Sequence, residues 1–431
     1  MNLSNSYWSQ SYKAVIQRSQ AYVFLKIDES LRIRSRHQSD NAMYTTRSYL
    51  GLFVAVIGQL NVVYANPEFA RTTIIATGVN VPAATTTSSP CYITEWSSIK
   101  AAQTSCTDLT LDNIAVPASS GLSLTALKPA ATVTFAGNTS FGYTPSTGYK
   151  MVSISGNNVV IKGAPGSFFD GGGLMYWDGL GNGGSPKPGN FMKLSLSNNS
   201  VFEDITVINT PTHALDIDGV SDSIIQRIVI DNSAGLALSS SGVPLAKNTD
   251  GFDVGETENM LFQDVWISNQ DDCVALSISN NVTFRNFTCY GSHGLSIAGG
   301  GTGPGQNITN VLFTDSYVAN GTVGLRIKTD LNSTGSVINV TYSNIQLANI
   351  SSQGIDIIQN YYDGGPYGNF ASNGVAVHNI TFSNITGTFT TGQDFYIFCG
   401  DDSCTDFTFA DVSITGGTVA SNCNYPSTGC P

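Results

Sequence analysis

The chain has 431 residues, of which 41% are hydrophobic and only 12% are charged, and it is rich in Gly, Ser, Thr and Asn. This composition is typical of a secreted all-β protein that is large enough to bury a sizeable core. The formal net charge is −12 at pH 7, which argues against a nucleic-acid partner.

The first 65 residues differ from the rest. Residues 1–42 are polar and basic, whereas the apolar run 49–57 follows Arg47 and ends near a small-residue cleavage point, Val63-Tyr64-Ala65. We therefore predict a secretory signal peptide over 43–65, with Met43 as the working start and 1–42 as an upstream extension that the native product lacks. Gly58, Gln59 and Asn61 interrupt the apolar run, so no membrane association is expected after signal removal. Residues 66–431 are predicted to form one extracellular domain.

A four-residue pattern recurs along the predicted domain, in the order small, apolar, mostly polar, apolar. Successive copies start 37, 22, 21, 30 and 30 residues apart. The six copies are Ala214-Leu215-Asp216-Ile217, Gly251-Phe252-Asp253-Val254, Cys273-Val274-Ala275-Leu276, Gly294-Leu295-Ser296-Ile297, Gly324-Leu325-Arg326-Ile327 and Gly354-Ile355-Asp356-Ile357.

A second series of short apolar runs accompanies the first, for example Met260-Leu261-Phe262 and Val282-Thr283-Phe284, so the pattern implies two strands per repeat. Short strands at a loose period, without helical periodicity between them, indicate a solenoid whose coils bury one another's apolar faces. We predict a right-handed parallel β-helix. The alternative is an antiparallel sandwich or barrel, which has no reason to reproduce one motif six times.

Polar motifs stand at equivalent points of this repeat. Asp250, Asp272 and His293 each directly precede the small residue of a copy, and neighbouring coils are ~4.8 Å apart. We expect the three side chains to form one column, with the chain bending so that they avoid the apolar core. Asp271 joins the same surface, so at least one carboxyl should keep its proton to a higher pH than an isolated Asp.

Two cations follow on one face of the strand at Gly324, namely Arg326 and Lys328, and they suit an acidic substrate.

Each of these motifs, taken alone, also has a simpler structural interpretation. Asp-Gly is a common turn, and an Asp pair can form a solvated edge or a calcium site. Single histidines such as His213 and His378 are read as structural or exposed. The convergence of the motifs favours an active site.

Eight cysteines lie beyond the leader and form four close pairs in sequence. An even number in a secreted chain favours disulfides over metal ligation or free thiols. Sequence alone leaves 105 connectivities open, and we predict that neighbours pair. The predicted pairs are Cys91–Cys106, Cys273–Cys289, Cys399–Cys404 and Cys423–Cys430. Eleven Asn-x-Ser/Thr sequences follow the leader, and we expect glycans on only some, because Asn also caps turns in β-helices.

The four motifs are Asn248-Thr249-Asp250-Gly251-Phe252-Asp253, Asn269-Gln270-Asp271-Asp272-Cys273, Gly291-Ser292-His293-Gly294 and Arg326-Ile327-Lys328. In this order they resemble the signature motifs of glycoside hydrolase family 28, the polygalacturonases. The resemblance covers most of the chain after the leader, and the cysteine layout is similar to that of fungal-type endopolygalacturonases. The chain departs from the fungal pattern at Ser292 and in the glycine-rich loop 299–306.

The resemblance implies endo-acting hydrolysis of the α-1,4 bonds of polygalacturonate in pectin, with inversion and without a cofactor or metal. By motif, Asp271 would be the general acid, Asp250 and Asp272 would activate water, and His293 would support the acid. The substrate carboxylate would be bound by Arg326, Lys328 and Tyr361, although Tyr362 is a neighbouring candidate. Plant polygalacturonase-inhibiting proteins would be partners, and a monomer is expected.

Other functions remain open at this point. An exo-acting polygalacturonase or a rhamnogalacturonan hydrolase would use the same fold, and product size distinguishes exo from endo cleavage. A pectate lyase would use calcium and leave unsaturated chain ends. A noncatalytic pectin-binding β-helix protein would have no use for an intact acid and base set.

Overall fold

The computed structural model describes residues 15–18, 21–24, 91–362, 364–389 and 391–431. Contacts within the chain divide it into two units, residues 1–85 and 86–431. In the first unit Val15–Arg18 (β1) pairs antiparallel with Ala21–Phe24 (β2). The predicted signal peptide over 43–65 and most of the predicted extension over 1–42 lie outside the described residues, so these boundaries stay predictions.

The second unit consists almost entirely of short strands. Its strands are β3 (Tyr92–Ile93), β4 (Asp108–Asp112), β5 (Ala115–Val116), β6 (Leu122–Leu124), β7 (Thr132–Ala136), β8 (Asn138–Phe141), β9 (Val152–Asn157), β10 (Val160–Gly163), β11 (Phe168–Asp170), β12 (Asn190–Ser197), β13 (Val201–Glu203), β14 (Thr206–Ile208), β15 (His213–Asp218), β16 (Ser221–Asp231), β17 (Phe252–Gly255), β18 (Thr257–Ser268), β19 (Val274–Leu276), β20 (Ser279–Tyr290), β21 (Leu295–Gly299), β22 (Asn307–Ala319), β23 (Val323–Asp330), β24 (Gly335–Ala348), β25 (Gln353–Tyr362), β26 (Gly365–Pro366), β27 (Val375–Thr388), β28 (Gln393–Phe398), β29 (Cys404–Thr415) and β30 (Asn422–Cys423). One α-helix, α1 (Ile99–Ser105), and the 3₁₀ turns Trp96–Ser98, Gly173–Met175, Gly181–Gly183 and Ser233–Leu236 complete the described elements.

The strands form two long sheets, one of 16 strands and one of 12 strands. Along the 12-stranded sheet the order β30-β28-β25-β23-β21-β19-β17-β15-β12-β9-β6 follows the chain, and these neighbours pair in parallel. The six sequence repeats pair in the predicted register, with Leu215, Phe252, Val274, Leu295, Leu325 and Ile355 side by side. The right-handed parallel β-helix is therefore confirmed.

The prediction of two strands per repeat is confirmed where the repeats lie, because a strand of the 12-stranded sheet is followed by a long strand of the 16-stranded sheet, as in β17 and β18 or β19 and β20. The early coils carry separate strands such as β13 and β14, which pair with the two halves of the single long strand β16. Later long strands bend at a residue with positive φ. These bend residues are Arg227, Asp264, Asn286, Asp315, Asn344, Asn384 and Asp411. Six of the seven are Asn or Asp, which tolerate this backbone conformation better than other non-glycine residues, and Arg227 is the exception.

A column of aromatic rings runs through the core of the coils. Phe262, Phe284, Phe313, Tyr342, Phe382 and Phe409 are register neighbours in the 16-stranded sheet. Their rings stack with centroids 4.7 to 5.2 Å apart, which is the spacing of the coils themselves. The column thereby repeats the same apolar contact from one coil to the next.

Four disulfides join the cysteine pairs predicted from neighbouring positions. They are Cys91–Cys106, Cys273–Cys289, Cys399–Cys404 and Cys423–Cys430. The Cys273–Cys289 bridge connects the residue before β19 to β20, directly beside Asp272. Within the described part of the chain, no helix is both long enough and apolar enough to span a membrane.

Candidate active site

The outer face of the 12-stranded sheet presents the third residue of each repeat. Because side chains alternate along a strand, the apolar second and fourth residues point into the core while the third points outward. The register places Asp216, Asp253, Ala275, Ser296, Arg326 and Asp356 on neighbouring coils. The predicted catalytic side chains lie at the start of these strands, where the chain enters the sheet.

The turns before β17, β19 and β21 bring the predicted carboxylates and His293 together. Backbone hydrogen bonds join the coils at this point: the Gly251 N–H donates to the Asp272 carbonyl at 2.9 Å, and the His293 N–H donates to the Asp271 carbonyl at 2.8 Å. Gly294 has φ of +88°, and a Cβ there would lie 2.2 Å from the Gly324 carbonyl oxygen. Only glycine allows this close approach, which sets the direction of the preceding His293.

Asp272 is almost completely buried, with 1% of its surface exposed, and two side chains hold its carboxylate. Lys328 Nζ donates to Oδ2 at 2.7 Å, and Ser296 Oγ donates to Oδ1 at 2.8 Å. Both oxygens of Asp272 therefore have a donor, and Lys328 is a charged partner in this buried position.

Asp271 lies beside it and contacts His293. His293 Nδ1 is 3.0 Å from Oδ1, the Asp272 N–H donates to the same oxygen at 2.9 Å, and Asn248 Nδ2 donates to Oδ2 at 3.2 Å. Burial acts to raise the pKa of Asp271, but the hydrogen bond and charge of His293 and the charge of Lys328 outweigh it, so this pKa lies below its ordinary value. In the free protein, Asp271 therefore gives up its proton readily.

Asp250 is the carboxyl that holds a proton most strongly. Its exposed fraction is 6%, and burial together with the charges of Asp253 and Asp271 raises its pKa well above the ordinary value. The expectation that one carboxyl of the cluster keeps its proton thus agrees with the structure, which favours Asp250 as that carboxyl. Among the described residues, Asp250 Oδ1 has no hydrogen-bond donor aligned with it.

His213 closes the cluster on its other side, and reading it as a merely structural or exposed histidine missed this contact. Its Nδ1 lies 2.6 Å from Asp253 Oδ2 and 3.3 Å from Asp250 Oδ1. Burial acts to lower its pKa, but the Asp253 hydrogen bond and the charges of Asp250, Asp253 and Asp271 raise the pKa of His213 to about 10. A signal was present in the sequence, because His213 directly precedes Ala214 just as Asp250 precedes Gly251.

Two asparagines, which the sequence motifs did not single out as functional, link the acidic groups. Asn248 Oδ1 accepts the backbone N–H of Asn182 at 3.1 Å, while its Nδ2 donates to Asp271. The side-chain amide of Asn182 in turn lies 3.2 Å from His213 Nε2. The 3₁₀ turn Gly181–Gly183 therefore forms a wall that ties Asp271 and His213 into one polar network.

Arg326 and Lys328 lie together at the next coil, as predicted. The Tyr361 ring lies against both cations, with its centroid 5.2 Å from Arg326 Cζ and 4.8 Å from Lys328 Nζ. Tyr362, the neighbouring candidate, is 62% exposed and contacts Tyr367 instead. Arg326 Nε also pairs with the buried Asp356 carboxyl at 3.0 Å, although without hydrogen-bond alignment.

The expected column of Asp250, Asp272 and His293 is present, but its members face different groups. The two aspartates are buried among polar side chains, whereas the His293 side chain is 36% exposed. His293 pairs with Asp271, while Asp272 pairs with Lys328. The polar partners, more than outward exposure, remove the cost of burying these charges.

Two groups of side chains have the spacing of metal ligands: His213 with Asp250 and Asp253, and Asp271 and Asp272 with His293. We assign no metal to either group, because His213 and Lys328 already supply positive charge to carboxylates of the two groups. A surface cavity of about 530 Å³ lies elsewhere, lined by residues such as Asn199, Asp222 and Asn259. That cavity contains none of the clustered acids, so the chemistry points to the outer face of the 12-stranded sheet.

Comparison with known proteins identifies the family of this chain. The sequence model described as glycosyl hydrolases family 28 matches residues 106–431. A probable endopolygalacturonase D from Aspergillus flavus is 41% identical over 375 residues, covering 85% of this chain and 76% of that protein. The endopolygalacturonase D of Aspergillus niger is 44% identical over 344 residues, covering 79% and 69%.

Solved structures of similar fold include two pectin-degrading enzymes. The endopolygalacturonase I of Stereum purpureum, complexed with two galacturonates, has a TM-score of 0.64 and 28% identity, covering 78% of this chain and 97% of its own. An endo-xylogalacturonan hydrolase from Aspergillus tubingensis has a TM-score of 0.62 at 24% identity, covering 78% of this chain and 96% of its own, and shares the fold. The fold, the site and these relatives together establish that the chain belongs to glycosyl hydrolase family 28.

Proposed function

We propose that this protein is a secreted, endo-acting polygalacturonase that hydrolyses the α-1,4 bonds between galacturonate residues of pectin. The observation that carries the proposal is the convergence of Asp250, Asp271 and Asp272 with His293 beside the Arg326 and Lys328 cations. Endopolygalacturonases from Aspergillus and Stereum are among its relatives, which supports internal cleavage of the polymer.

The proposed roles follow from what each group can do. Protonated Asp271 gives its proton to the leaving glycosidic oxygen as the bond to the anomeric carbon breaks. Asp250 and Asp272 take the proton of the attacking water as its oxygen bonds to that carbon, so protons and electron pairs balance. Arg326, Lys328 and Tyr361 bind the carboxylate of a galacturonate residue, because cations and an aromatic face suit an acidic sugar. We expect inversion, which NMR of the first-formed anomer would test.

The proton on Asp271 needs a source, because His293 lowers the pKa of this carboxyl in the free protein. Asp250, Asp253, Asp271 and Asp272 lie together, and burial with the neighbouring charges raises the pKa of Asp250, so the cluster favours retaining one proton. A polyanionic substrate raises carboxyl pKa values further. We therefore propose that substrate binding helps to place this shared proton on Asp271, and that the enzyme works best at acidic pH, roughly 4 to 6.

The decisive experiment compares secreted wild-type protein with Asp271→Asn in a reducing-end assay on polygalacturonic acid. We expect the variant to lose about 100-fold or more of the activity, because the leaving oxygen no longer receives a proton. Asp411→Asn is the matched control, since Asp411 lies exposed on β29 away from the cluster. Equal activity of wild type and Asp271→Asn would refute the assigned acid.

Product analysis tests the mode of cleavage. Oligomers of mixed length in the first minutes are expected for endo cleavage, whereas monomers alone would mean exo cleavage. Unsaturated, ultraviolet-absorbing ends would mean a lyase, and inactivity on every galacturonan would leave only a binding role.

N-terminal sequencing of the secreted protein tests the predicted signal peptide, and the sequence it reads should begin near Asn66. By family likeness we also propose a monomer and plant polygalacturonase-inhibiting proteins as partners; sedimentation and binding assays address both.

A further inference from the structure

We propose that His213, as an imidazolium, is a positioning residue that favours the ionised form of Asp250 against its carboxylate neighbours and orients it for water activation once the shared proton lies on Asp271. The inference rests on the proposed function, which gives Asp250 that role. Neither the four sequence motifs nor the roles carried over from the family include His213. It therefore adds a residue to the site by geometry alone.

The contacts of His213 fix its ring against both aspartates. The Nδ1–H is directed at Asp253 Oδ2, 2.6 Å away, so Asp253 sets the orientation of the ring. The same nitrogen lies 3.3 Å from Asp250 Oδ1, close enough for a strong charge interaction without a hydrogen bond aligned to that oxygen. Asp250 Oδ1 is buried and has no aligned donor, so the positive charge of His213 is the stabilising contact beside it.

The charges around Asp250 show why this cation matters. Asp253, Asp271 and Asp272 all act to keep a proton on Asp250, and His213 is the positive group that opposes them. The other cations of the cluster are directed elsewhere, since His293 contacts Asp271 and Lys328 contacts Asp272. Without His213, the same carboxyl groups would lose a positive partner, and Asp250, which already holds a proton most strongly, would retain it to a still higher pH.

The remaining ring nitrogen of His213 is compatible with a charged imidazole. Nε2 lies 3.2 Å from the side-chain amide of Asn182. The oxygen and nitrogen of such an amide are assigned by hydrogen bonding, and the orientation with Oδ1 towards Nε2 accepts the second N–H of the imidazolium. Both N–H groups then have acceptors, Asp253 on one side and Asn182 on the other.

The test is the pH profile of kcat/KM on polygalacturonic acid for His213→Gln. Gln keeps a donor for Asp253 but removes the charge, so Asp250 should be protonated at pH values where the wild type is active. An opposite charge within about 4 to 6 Å changes a carboxyl's ionised fraction about tenfold or more below its pKa. We therefore expect the ratio of kcat/KM at pH 4 to that at pH 6 to fall about tenfold, with the acidic limb moving to higher pH.

Two further variants separate charge from structure. His213→Lys restores a cation and should move the acidic limb back towards the wild-type position. His378→Gln is the matched control, because His378 lies on β27, where it contacts Thr405 and Asp406 away from the cluster, and its profile should equal that of the wild type. Thermal unfolding of each variant shows whether it is folded. If His213→Gln does not fold, the pH profiles of His213→Asn and His213→Lys are compared instead.

The outcomes distinguish this inference from the proposed function. If wild type cleaves polygalacturonic acid and Asp271→Asn does not, the function stands. If His213→Gln then loses kcat equally at every pH, or keeps the wild-type limb, the inference about His213 is wrong. If wild type itself is inactive on galacturonans, the proposed function is wrong, and the inference about His213 fails with it because Asp250 is then not a catalytic base.

Discussion

Asp356 shows how a single buried carboxyl can set the pH dependence of this protein. It is 2% exposed and lies next to Arg326 on the neighbouring strand. Burial raises the pKa of Asp356 to about 6, even though the charges of Arg326 and Lys328 act in the opposite direction. Arg326, the proposed substrate-binding arginine, therefore lies beside an acid whose charge changes within the proposed working range.

The sign of the effect on stability follows from the two pKa values. In the unfolded chain Asp356 ionises near pH 4, and in the folded protein it ionises near pH 6. Folding therefore binds a proton between these values, and the free energy of unfolding falls as pH rises from about 4 to above 6, by roughly 3 kcal/mol. Because Asp356→Asn cannot ionise, the stability of wild type relative to this variant should decrease by that amount. Urea unfolding of both proteins at pH 4, 5, 6 and 7 measures the difference.

The control for this prediction is Asp216→Asn. Asp216 occupies the equivalent position of another coil but is partly exposed, and it accepts a hydrogen bond from Asn190. Comparison with this variant separates the effect of burial at Asp356 from the general effect of removing one carboxyl group from this face of the sheet. A wild-type minus Asp356→Asn difference that is constant from pH 4 to 7 would contradict the raised pKa of Asp356.

At this scale, sequence identified the residues with distinctive motifs and missed those without one. Asp250, Asp271, Asp272 and His293 stand in recognisable runs, and the repeat places them together. Asn182 lies 66 residues before Asn248 and reaches it only through a long loop. No local sequence pattern predicts the contact between Asn182 and Asn248, because this contact depends on how the loop folds back onto the coils.

Rows of asparagines, hydrogen-bonded from one coil to the next and called ladders here, stabilise the corners between secondary-structure elements. At one corner Asn379 donates to Asn339 at 2.6 Å, and Asn339 donates to Asn310 at 3.0 Å. All three have positive φ, so each ladder residue both fits the strained turn and bonds to the next coil. The ladder thus holds adjacent long strands in register where their backbone leaves the sheet.

Removing the middle of this ladder should cost measurable stability. Asn339→Ala loses the hydrogen bonds to Asn310 and Asn379 and also places alanine at φ of +57°. Asn332→Ala is the matched control, since Asn332 has φ of +62° and also belongs to an Asn-x-Ser/Thr sequence but lies outside the ladders. We expect Asn339→Ala to lower the free energy of unfolding by about 1 kcal/mol more than the control. Equal losses in urea unfolding would show that the ladder adds nothing beyond turn conformation.

The element scale also shows where the repeat pattern reached its limit. The apolar units predicted the strands of both sheets because burial imposes alternation on each of them. The bend within each long strand escaped this treatment, since Asp264 or Asn286 reads as an ordinary polar residue inside a run. The bend depends on the backbone conformation of one residue, and only the recurrence of Asn and Asp at the bend positions indicates it in the sequence.

The whole molecule depends on contacts that pass from coil to coil. Each coil of a solenoid contacts its neighbours only, so stability is close to a sum of coils and interfaces. The aromatic column crosses these interfaces, and it also reaches the site. The Tyr342 hydroxyl donates to the Leu295 carbonyl at 3.4 Å and to the Arg326 carbonyl at 3.2 Å, on the strands that carry the active-site face. The aromatic column therefore contacts the backbone of Arg326, the proposed substrate-binding residue.

Phe313 is the position at which this dependence can be measured. Its ring is fully buried and stacks on Phe284 at 4.7 Å and on Tyr342 at 4.8 Å. Phe313→Ala removes both contacts and leaves a cavity inside the column, so we expect the free energy of unfolding to fall by about 3 to 5 kcal/mol. Phe409→Ala serves as the control at the end of the column, where the ring is only partly buried and the loss should be about half as large. Denaturant unfolding of both variants provides the comparison, and losses of equal size would mean that the column does not act through coil-to-coil stacking.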